Sequence, residues 1–236
     1  MRMTSWLEFA SAYLLFLATH RAPTIPSVRQ AVVDHVGETS FAIAYSLLSL
    51  ALFSWLIIAA GRAPYVELWS FELWHAWAPM LAMPVAIGLL VWSFGAPNPL
   101  SFGGGASDNF DPERPGPVGF ARHGLLWALA IWSAAHIPPN GDLAHVILFG
   151  GFAAFSVIGM YVIDRRKQRQ LGQKKWRQLA ANTSFWPGQS IIERRWAPKP
   201  PFRLLNQFTR AVVAALVFAV LLGGHAVIIG VKPWPW

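Results

Sequence analysis

Six apolar runs set the strongest limit on what this chain can fold into. They cover residues 6–19, 41–61, 73–94, 125–137, 143–163 and 208–231. A helix of about 20 apolar residues crosses a bilayer, and inside lipid only helices and closed barrels satisfy the backbone hydrogen bonds. Because 55% of the residues are hydrophobic and only 13% are charged, a soluble globular class is excluded. The pattern predicts an all-α, polytopic transmembrane bundle of about six spans that contacts the lipid bilayer.

The chain shows no internal repeat and no low-complexity tract. Nothing in the sequence therefore divides it, and we expect a single integral membrane domain over residues 1–236.

The basic residues are unevenly distributed along the chain. Segment 164–207 contains eleven Lys or Arg and two acidic residues. An excess of Lys and Arg marks cytoplasmic loops, so we expect this segment to be cytoplasmic. Alternating six spans places sixteen Lys or Arg inside and only Arg2, Arg62 and Lys232 outside. The high pI therefore reflects the cationic cytoplasmic loops, and we predict no nucleic-acid partner. The basic stretch RRKQRQLGQKKWRQL also suits an anionic lipid surface.

The loop between the third and fourth spans is rich in glycine, proline and acidic residues. Gly103, Gly104 and Gly105 follow no strand and precede no lysine pattern, which argues against a nucleotide-binding loop. We expect an ordered loop over the inner end of the bundle instead. In it, the cations available for pairing are Arg114 and Arg122, and the acids are Asp108, Asp111 and Glu113.

Histidine is the only strong nitrogen or sulfur ligand available, because the chain contains no cysteine. An imidazole at a span end can simply bond water and headgroups, which explains His35, His75 and His145. Ionisable groups at the edge of a span are otherwise functional candidates. The predicted topology places His20 and His123 near the inner face, and His136 and His225 near the outer face.

Paired imidazoles on facing helices are what a six-coordinate haem requires. The same pairing also occurs in proton relays and in plain polar contacts, and spacing leaves these alternatives open. His123 and His136 bound the run FARHGLLWALAIWSAAH, where thirteen residues of ideal helix give a rise of about 20 Å. One iron atom therefore cannot easily be held by both.

Several stretches of this sequence resemble the NnrU family. They are THRAPTIPSVRQ, GRAPYVELW, NPLSFGG, RHGLLWALAIWSAAH with NGDLA and LFGG after it, and HAVIIGVKP. The resemblance implies an association with nitrite and nitric oxide reduction in denitrification. A plant and cyanobacterial relative of the family is 15-cis-zeta-carotene isomerase, a haem b membrane protein that isomerises one double bond of a polyene.

The resemblance also implies site residues. The two haem histidines of the isomerase match His20 and His136, its Arg-His-Pro histidine matches His123, and its late histidine matches His225. The resemblance therefore favours His136 as the partner of His20, whereas the predicted layers favour His123. All three stay candidate axial ligands of a haem iron.

The chain departs from this pattern at two positions. Gly124 stands where the family has proline, and Ser133 stands where the isomerase has a cysteine. A serine cannot replace a thiolate as a soft iron ligand, which makes isomerisation by ligand exchange less expected. The related isoprenylcysteine methyltransferases carry a glutamate pair where this chain has Asp164 and Arg165, so we expect no S-adenosylmethionine chemistry.

Taken together, the resemblance implies a haem b protein of the bacterial inner (cytoplasmic) membrane, with an accessory or redox role in denitrification. A haem-dependent cis–trans isomerase acting on a hydrophobic polyene is the second interpretation. The third is a non-enzymatic subunit or assembly factor that binds a larger membrane complex. No catalytic residue is predicted.

Overall fold

The computed structural model describes residues 2–21, 25–102, 107–197 and 204–234, and within these ranges the chain is helical. The longer helices are α1 (Arg2–Arg21), α2 (Pro26–Val36), α3 (Glu38–Arg62), α4 (Leu73–Ser93), α6 (Gly124–His136), α7 (Leu143–Leu171), α8 (Gln173–Ala180) and α10 (Leu204–Ile228). The single turns α5 (Pro117–Phe120) and α9 (Gln189–Ile192) lie in loops. The all-α prediction is confirmed for the described residues.

All six predicted spans fall in helices, but not all of these helices have the length and composition of a span. Four do: α3, α4, α7 and residues Asn206–Ile228 of α10. Helix α6 has only 13 residues, or about 20 Å of rise, against a hydrocarbon core of about 30 Å. Glu8 interrupts the apolar run of α1. Within the described residues, the protein thus has four candidate membrane spans, and the expected number of about six is not confirmed.

Backbone contacts divide the chain into two compact units. The first unit comprises Met1–Ser70 with Gly141–Leu148, and the second comprises Phe71–Asn140 with Phe149–Trp236. The single domain expected over 1–236 stays a prediction.

In the first unit, α1 packs against α3. Phe9, Ala12 and Phe16 are buried on α1 at the three- and four-residue spacing of one helical stripe. The α1 face also carries Glu8, whose carboxylate accepts hydrogen bonds of 3.3 Å from Trp55 Nε1 and from Arg62. The polar interruption of α1 is therefore satisfied by α3.

In the second unit, α4 packs against both α6 and α10. Small residues allow the α4–α6 approach, and a Cβ built on Gly124 would lie 1.8 Å from Ser93 Oγ. On α10, Arg210 donates to the carbonyl oxygens of Val91 and Trp92 at 3.2 and 2.7 Å. This cation satisfies carbonyl groups at the C-terminal end of α4.

The loops that precede α6 and follow α8 are bonded to each other within the second unit. Arg122 N donates to Ser184 O at 2.7 Å, and Gly188 N donates to Phe120 O at 2.8 Å. Ser184 and Ser190 both donate their hydroxyl hydrogens to Gly119 O. The two loops therefore lie at the same end of this unit, as the alternation of spans predicts.

Candidate functional site

A buried polar cluster occupies the end of the second unit where these two loops meet. We call it the Arg-His cluster; its members are Ser101, Arg122, His123, Asp164 and Thr183. His123 is the residue immediately before α6, Asp164 lies on α7, and the other three residues lie in the two loops.

Asp164 is the centre of the cluster. One carboxylate oxygen accepts a hydrogen bond of 2.5 Å from Arg122, and the other lies 3.1 Å from His123 Nε2. Arg122 also donates through Nε to Thr183 Oγ1 at 2.9 Å. His123 Nδ1 lies 2.9 Å from the hydroxyl of Ser101. Because Arg122 is 6% exposed, His123 1% and Asp164 8%, this is a buried ion pair with a buried imidazole attached.

The guanidinium of Arg122 is enclosed on several sides. It lies over the indole of Trp176 at 5.0 Å from the ring centroid, in cation–π geometry. Burial lowers the pKa of Arg122, while the adjacent Asp164 carboxylate raises it. An arginine stays protonated under such opposing effects, so the ion pair remains charged.

Both ring nitrogens of His123 already have protein partners. A carboxylate can only accept, so Nε2 carries a hydrogen and donates it to Asp164. Nδ1 then accepts from the Ser101 hydroxyl when the ring is neutral. This arrangement leaves no in-plane lone pair on His123 for an iron ion.

The order Ser101–His123–Asp164 is that of a nucleophile, a base and an orienting carboxylate. One feature argues against that chemistry here. Arg122 neutralises the carboxylate that would support the imidazolium. The cluster is better suited to holding the two loops and α7 together.

His20 lies in the first unit, near the end of α1. Its Nδ1 donates to Phe16 O, four residues earlier, at 2.8 Å. Its Nε2 lies 3.0 Å from the Ser49 hydroxyl on α3. Phe16 stacks on the ring at 4.0 Å, and Tyr45 meets its edge at 5.8 Å. The ring is thus oriented with its Nε2 lone pair directed away from its own helix.

His136 lies in the second unit, at the last position of α6. Its Nδ1 donates to Trp132 O at 2.7 Å, so Nε2 again carries the lone pair. Trp132 and Phe149 lie 5.5 and 5.3 Å from the ring, centroid to centroid. His225 of α10 is close enough to interact with His136 electrostatically, and its own Nδ1 donates to Val231 O at 2.8 Å.

The histidines that we expected to be interfacial have protein partners as well. His35 Nδ1 donates to Ala31 O at 2.7 Å, and His145 Nδ1 is 2.7 Å from the Asp142 carboxylate. His75 is buried, and its Nδ1 accepts from the N–H of Glu72 in a capping box that starts α4. For His75, the expected contact with water and headgroups is therefore wrong.

The expected partner of one loop cation is also wrong. Arg122 pairs with Asp164 of α7, and not with Asp108, Asp111 or Glu113. Sequence distance hides this contact, since 42 residues separate the pair. Gly103, Gly104 and Gly105 lie outside the described residues.

Nothing local in the sequence marks the full Arg-His cluster. Ser101 lies 22 residues from His123, and Thr183 lies 61 residues from Arg122. An acidic residue directly after an apolar run was the one available signal, because a membrane helix keeps a carboxylate only when it is paired. That signal applies to Asp164, the first residue after the fifth apolar run.

Among the described residues, no three His, Asp or Glu side chains lie close enough together to bind a metal ion by themselves. A haem makes a smaller demand on the protein, because the porphyrin supplies the equatorial nitrogens and the chain only the axial ligands. His136 fits that demand, and His20 fits it if its Nε2 gives up the Ser49 hydroxyl, whereas His123 is fully enclosed.

Comparison with known proteins identifies one family. The model of the family described as NnrU protein matches residues 8–233, which is nearly the whole chain. No curated protein and no solved structure matches the chain significantly.

Proposed function

Because the chain belongs to the NnrU family, we propose that it binds haem b and has an accessory or redox role in nitrite and nitric oxide metabolism. We place it in the bacterial inner membrane, with segment 164–207 in the cytoplasm. Four apolar helices support the membrane location, and the sixteen-to-three distribution of Lys and Arg supports the orientation.

The observation that carries the haem proposal is the orientation of two imidazoles. In His20 and in His136, the Nδ1 hydrogen bonds a carbonyl oxygen four residues earlier, which fixes the tautomer with its lone pair on Nε2. Metal-bound histidines are commonly held in this way by a backbone carbonyl. Both rings also contact aromatic side chains, since Phe16 lies 4.0 Å from His20 and Phe149 lies 5.3 Å from His136 between ring centroids. We therefore propose each of His20 and His136 as a candidate axial ligand of haem iron.

His123 has a different role in this proposal. Its side chain is 0% exposed and both of its nitrogens bond within the buried cluster, so a porphyrin has no room beside it, and we propose that it holds the Arg-His cluster and does not bind iron. A haem held through these imidazoles would supply one-electron transfer. The protein's part would be to hold the ligand nitrogens in orientation through the backbone carbonyls of Phe16 and Trp132.

Isomerisation of a polyene is the second proposal, and Ser133 weighs against it. The Ser133 side chain is fully buried, and its hydroxyl donates to Leu129 O at 2.8 Å. This position cannot supply the thiolate that the isomerase has there. Expression in a carotenoid-producing host without its own isomerase tests whether the protein isomerises a polyene. Restored carotenoid flux would make isomerisation the first proposal and the redox role the second.

An absorption spectrum of the purified full-length protein tests the haem proposal. We expect a Soret band with the sharp α and β bands of low-spin haem in the reduced state. His20→Ala and His136→Ala should each give a high-spin spectrum or lose the haem, because each removes one axial ligand. His123→Ala should keep the low-spin spectrum.

His35→Ala is the matched control. His35 makes the same Nδ1 bond to a carbonyl four residues earlier, but it is exposed, so its loss should leave the spectrum unchanged. The proposal would be wrong if the protein is purified without haem, or if the His136→Ala variant has the same absorption spectrum as the unsubstituted protein. Absence of haem would favour a non-enzymatic subunit of a membrane complex.

A further inference from the structure

A short segment after α8 exposes large apolar side chains beside cations. This segment, 186–195, contains the single turn α9 and the sequence WPGQSIIERR. Trp186 is 51% exposed, Ile191 41% and Ile192 83%. Glu193 follows, paired with Arg195, and Arg194 between these two is also exposed. Neighbouring exposed apolar side chains of this kind mark an interaction surface.

The segment is firmly attached to the second unit. Ser190 donates its hydroxyl hydrogen to Gly119 O at 2.6 Å, and Arg195 donates to the carbonyl oxygens of Ala181 and Thr183 at 2.6 and 2.9 Å. The backbone N–H of Ser190 also donates to Ser184 Oγ at 2.7 Å. The exposed isoleucines are therefore presented by a braced backbone.

Contacts with α6 and α7 show how far along these apolar helices the segment lies. Trp186 lies 5.1 Å from Trp127 of α6, and the neighbouring Phe185 lies 4.6 Å from Tyr161 of α7, between ring centroids. Tyr161 is itself exposed and lies one helical turn before Asp164. The segment is thus level with the end of the apolar part of α7, where a bilayer would change from hydrocarbon to headgroups.

Helix α8 adds a surface of cations next to the segment. Lys174, Lys175 and Arg177 are exposed, while Trp176 between them packs under Arg122. The apolar side of α8 is therefore used within the protein, and the charged side points outward. Arg194 has the left-handed backbone angle φ of 56°, which is unusual for a residue with a side chain. Such backbone strain occurs at ligand-binding positions more often than elsewhere.

We propose that segment 186–195 and α8 form a binding surface for anionic glycerophospholipid. Trp186, Ile191 and Ile192 enter the boundary between headgroups and acyl chains. Arg194 and the α8 cations bind the lipid phosphates, since cations near a bilayer surface attract anionic headgroups. This arrangement buries the exposed isoleucines and gives the cations counter-charges, and it does not depend on haem.

Depth measurement tests the apolar part of the surface. The chain has no cysteine, so Ile192→Cys can carry a single spin label in the full-length protein reconstituted into vesicles. With phosphatidylcholine and phosphatidylglycerol present, we expect high accessibility to oxygen, low accessibility to a polar nickel reagent, and a depth of about 5–10 Å below the headgroups. The same label at Lys175→Cys should stay accessible to the polar reagent.

Charge substitution tests the lipid specificity. Replacing Lys174, Lys175 and Arg177 together by Gln should weaken retention of phosphatidylglycerol, relative to phosphatidylcholine, by at least tenfold. Each cation near the surface is worth about fivefold in lipid binding, so Arg194→Gln alone should lose about that factor. Lys232→Gln removes one exposed cation beyond the other end of α10 and should have no effect.

Three results would overturn the proposal. A label at position 192 that the polar reagent reaches freely would place the segment in water. A label shielded from both oxygen and the polar reagent would show that a protein surface, such as a second copy, covers it. Unchanged phosphatidylglycerol retention in the Gln variants would refute the role of the cations.

Discussion

Substituting Asp164 by alanine should destabilise the protein more than the loss of any exposed charge. Asp164 accepts from both Arg122 and His123. In the Asp164→Ala variant, the guanidinium keeps only the Thr183 hydroxyl and the face of Trp176 as described partners. A full positive charge then stays buried without a counter-charge.

The burial of the cluster determines the size of this effect. The side chains of Arg122 and Asp164 are 8% and 12% exposed, so solvent cannot replace the lost carboxylate. Breaking a buried ion pair by removing one partner costs about 3–5 kcal/mol. The Asp164→Asn variant keeps an acceptor oxygen and loses the charge, so about 1–3 kcal/mol is expected.

Thermal unfolding of the detergent-solubilised protein, followed by circular dichroism, measures the difference. For a chain of this size, about 3–5 kcal/mol corresponds to a midpoint lowered by on the order of 10 °C. Glu193→Gln is the control, because Glu193 also pairs with an arginine, Arg195, but at an exposed position. Exposed ion pairs often contribute nothing measurable, so its midpoint should not change.

The comparison between variants decides the matter. If Asp164→Ala and Glu193→Gln unfold at the same temperature, the Arg-His cluster does not hold the two loops to α7. The proposal that His123 has a structural role would then be wrong as well, and His123 would again be a candidate iron ligand.

Three further predictions concern single positions. Gly124→Ala should lower the unfolding midpoint, because the new Cβ would overlap Ser93. Gly150→Ala is the control and should leave the midpoint unchanged, since the space around its new Cβ is open. Equal midpoints in the two variants would show that α4 and α6 adjust easily. A fluorophosphonate probe should not label Ser101, because Arg122 neutralises the Asp164 carboxylate that would support a histidine base; labelling seen by mass spectrometry would reveal a serine nucleophile. A cysteine introduced at Lys175 should react with an impermeant maleimide only after cells are opened, and reaction in intact cells would invert the topology.

The helices could be predicted well from the sequence. The run at 73–94 corresponds to α4, Leu73–Ser93, and the run at 125–137 to α6, Gly124–His136. Apolar composition over a fixed length is a local property, and a continuous apolar run of about 20 residues crosses lipid as a helix. The number of spans was harder to predict, because α1 and α6 are helices without the length or the apolar composition to be clear spans.

The candidate site could be predicted only in part. Histidine was the one strong ligand type in a chain without cysteine, so His20, His123 and His136 were identifiable as candidates. Their environments were not, because the hydrogen bonds that distinguish His123 from the other two come from Ser101 and from Asp164 of another helix.

The sequence by itself determined the class of this protein. Its apolar runs require helices in a membrane, and its charge distribution favours one orientation. Only the tertiary structure decided that Arg122 pairs with Asp164, that His123 has both nitrogens occupied, and that Ile192 stays exposed. The physical reason is that hydrophobic periodicity acts within one helix, whereas a buried polar contact depends on which loops and helices meet at one place.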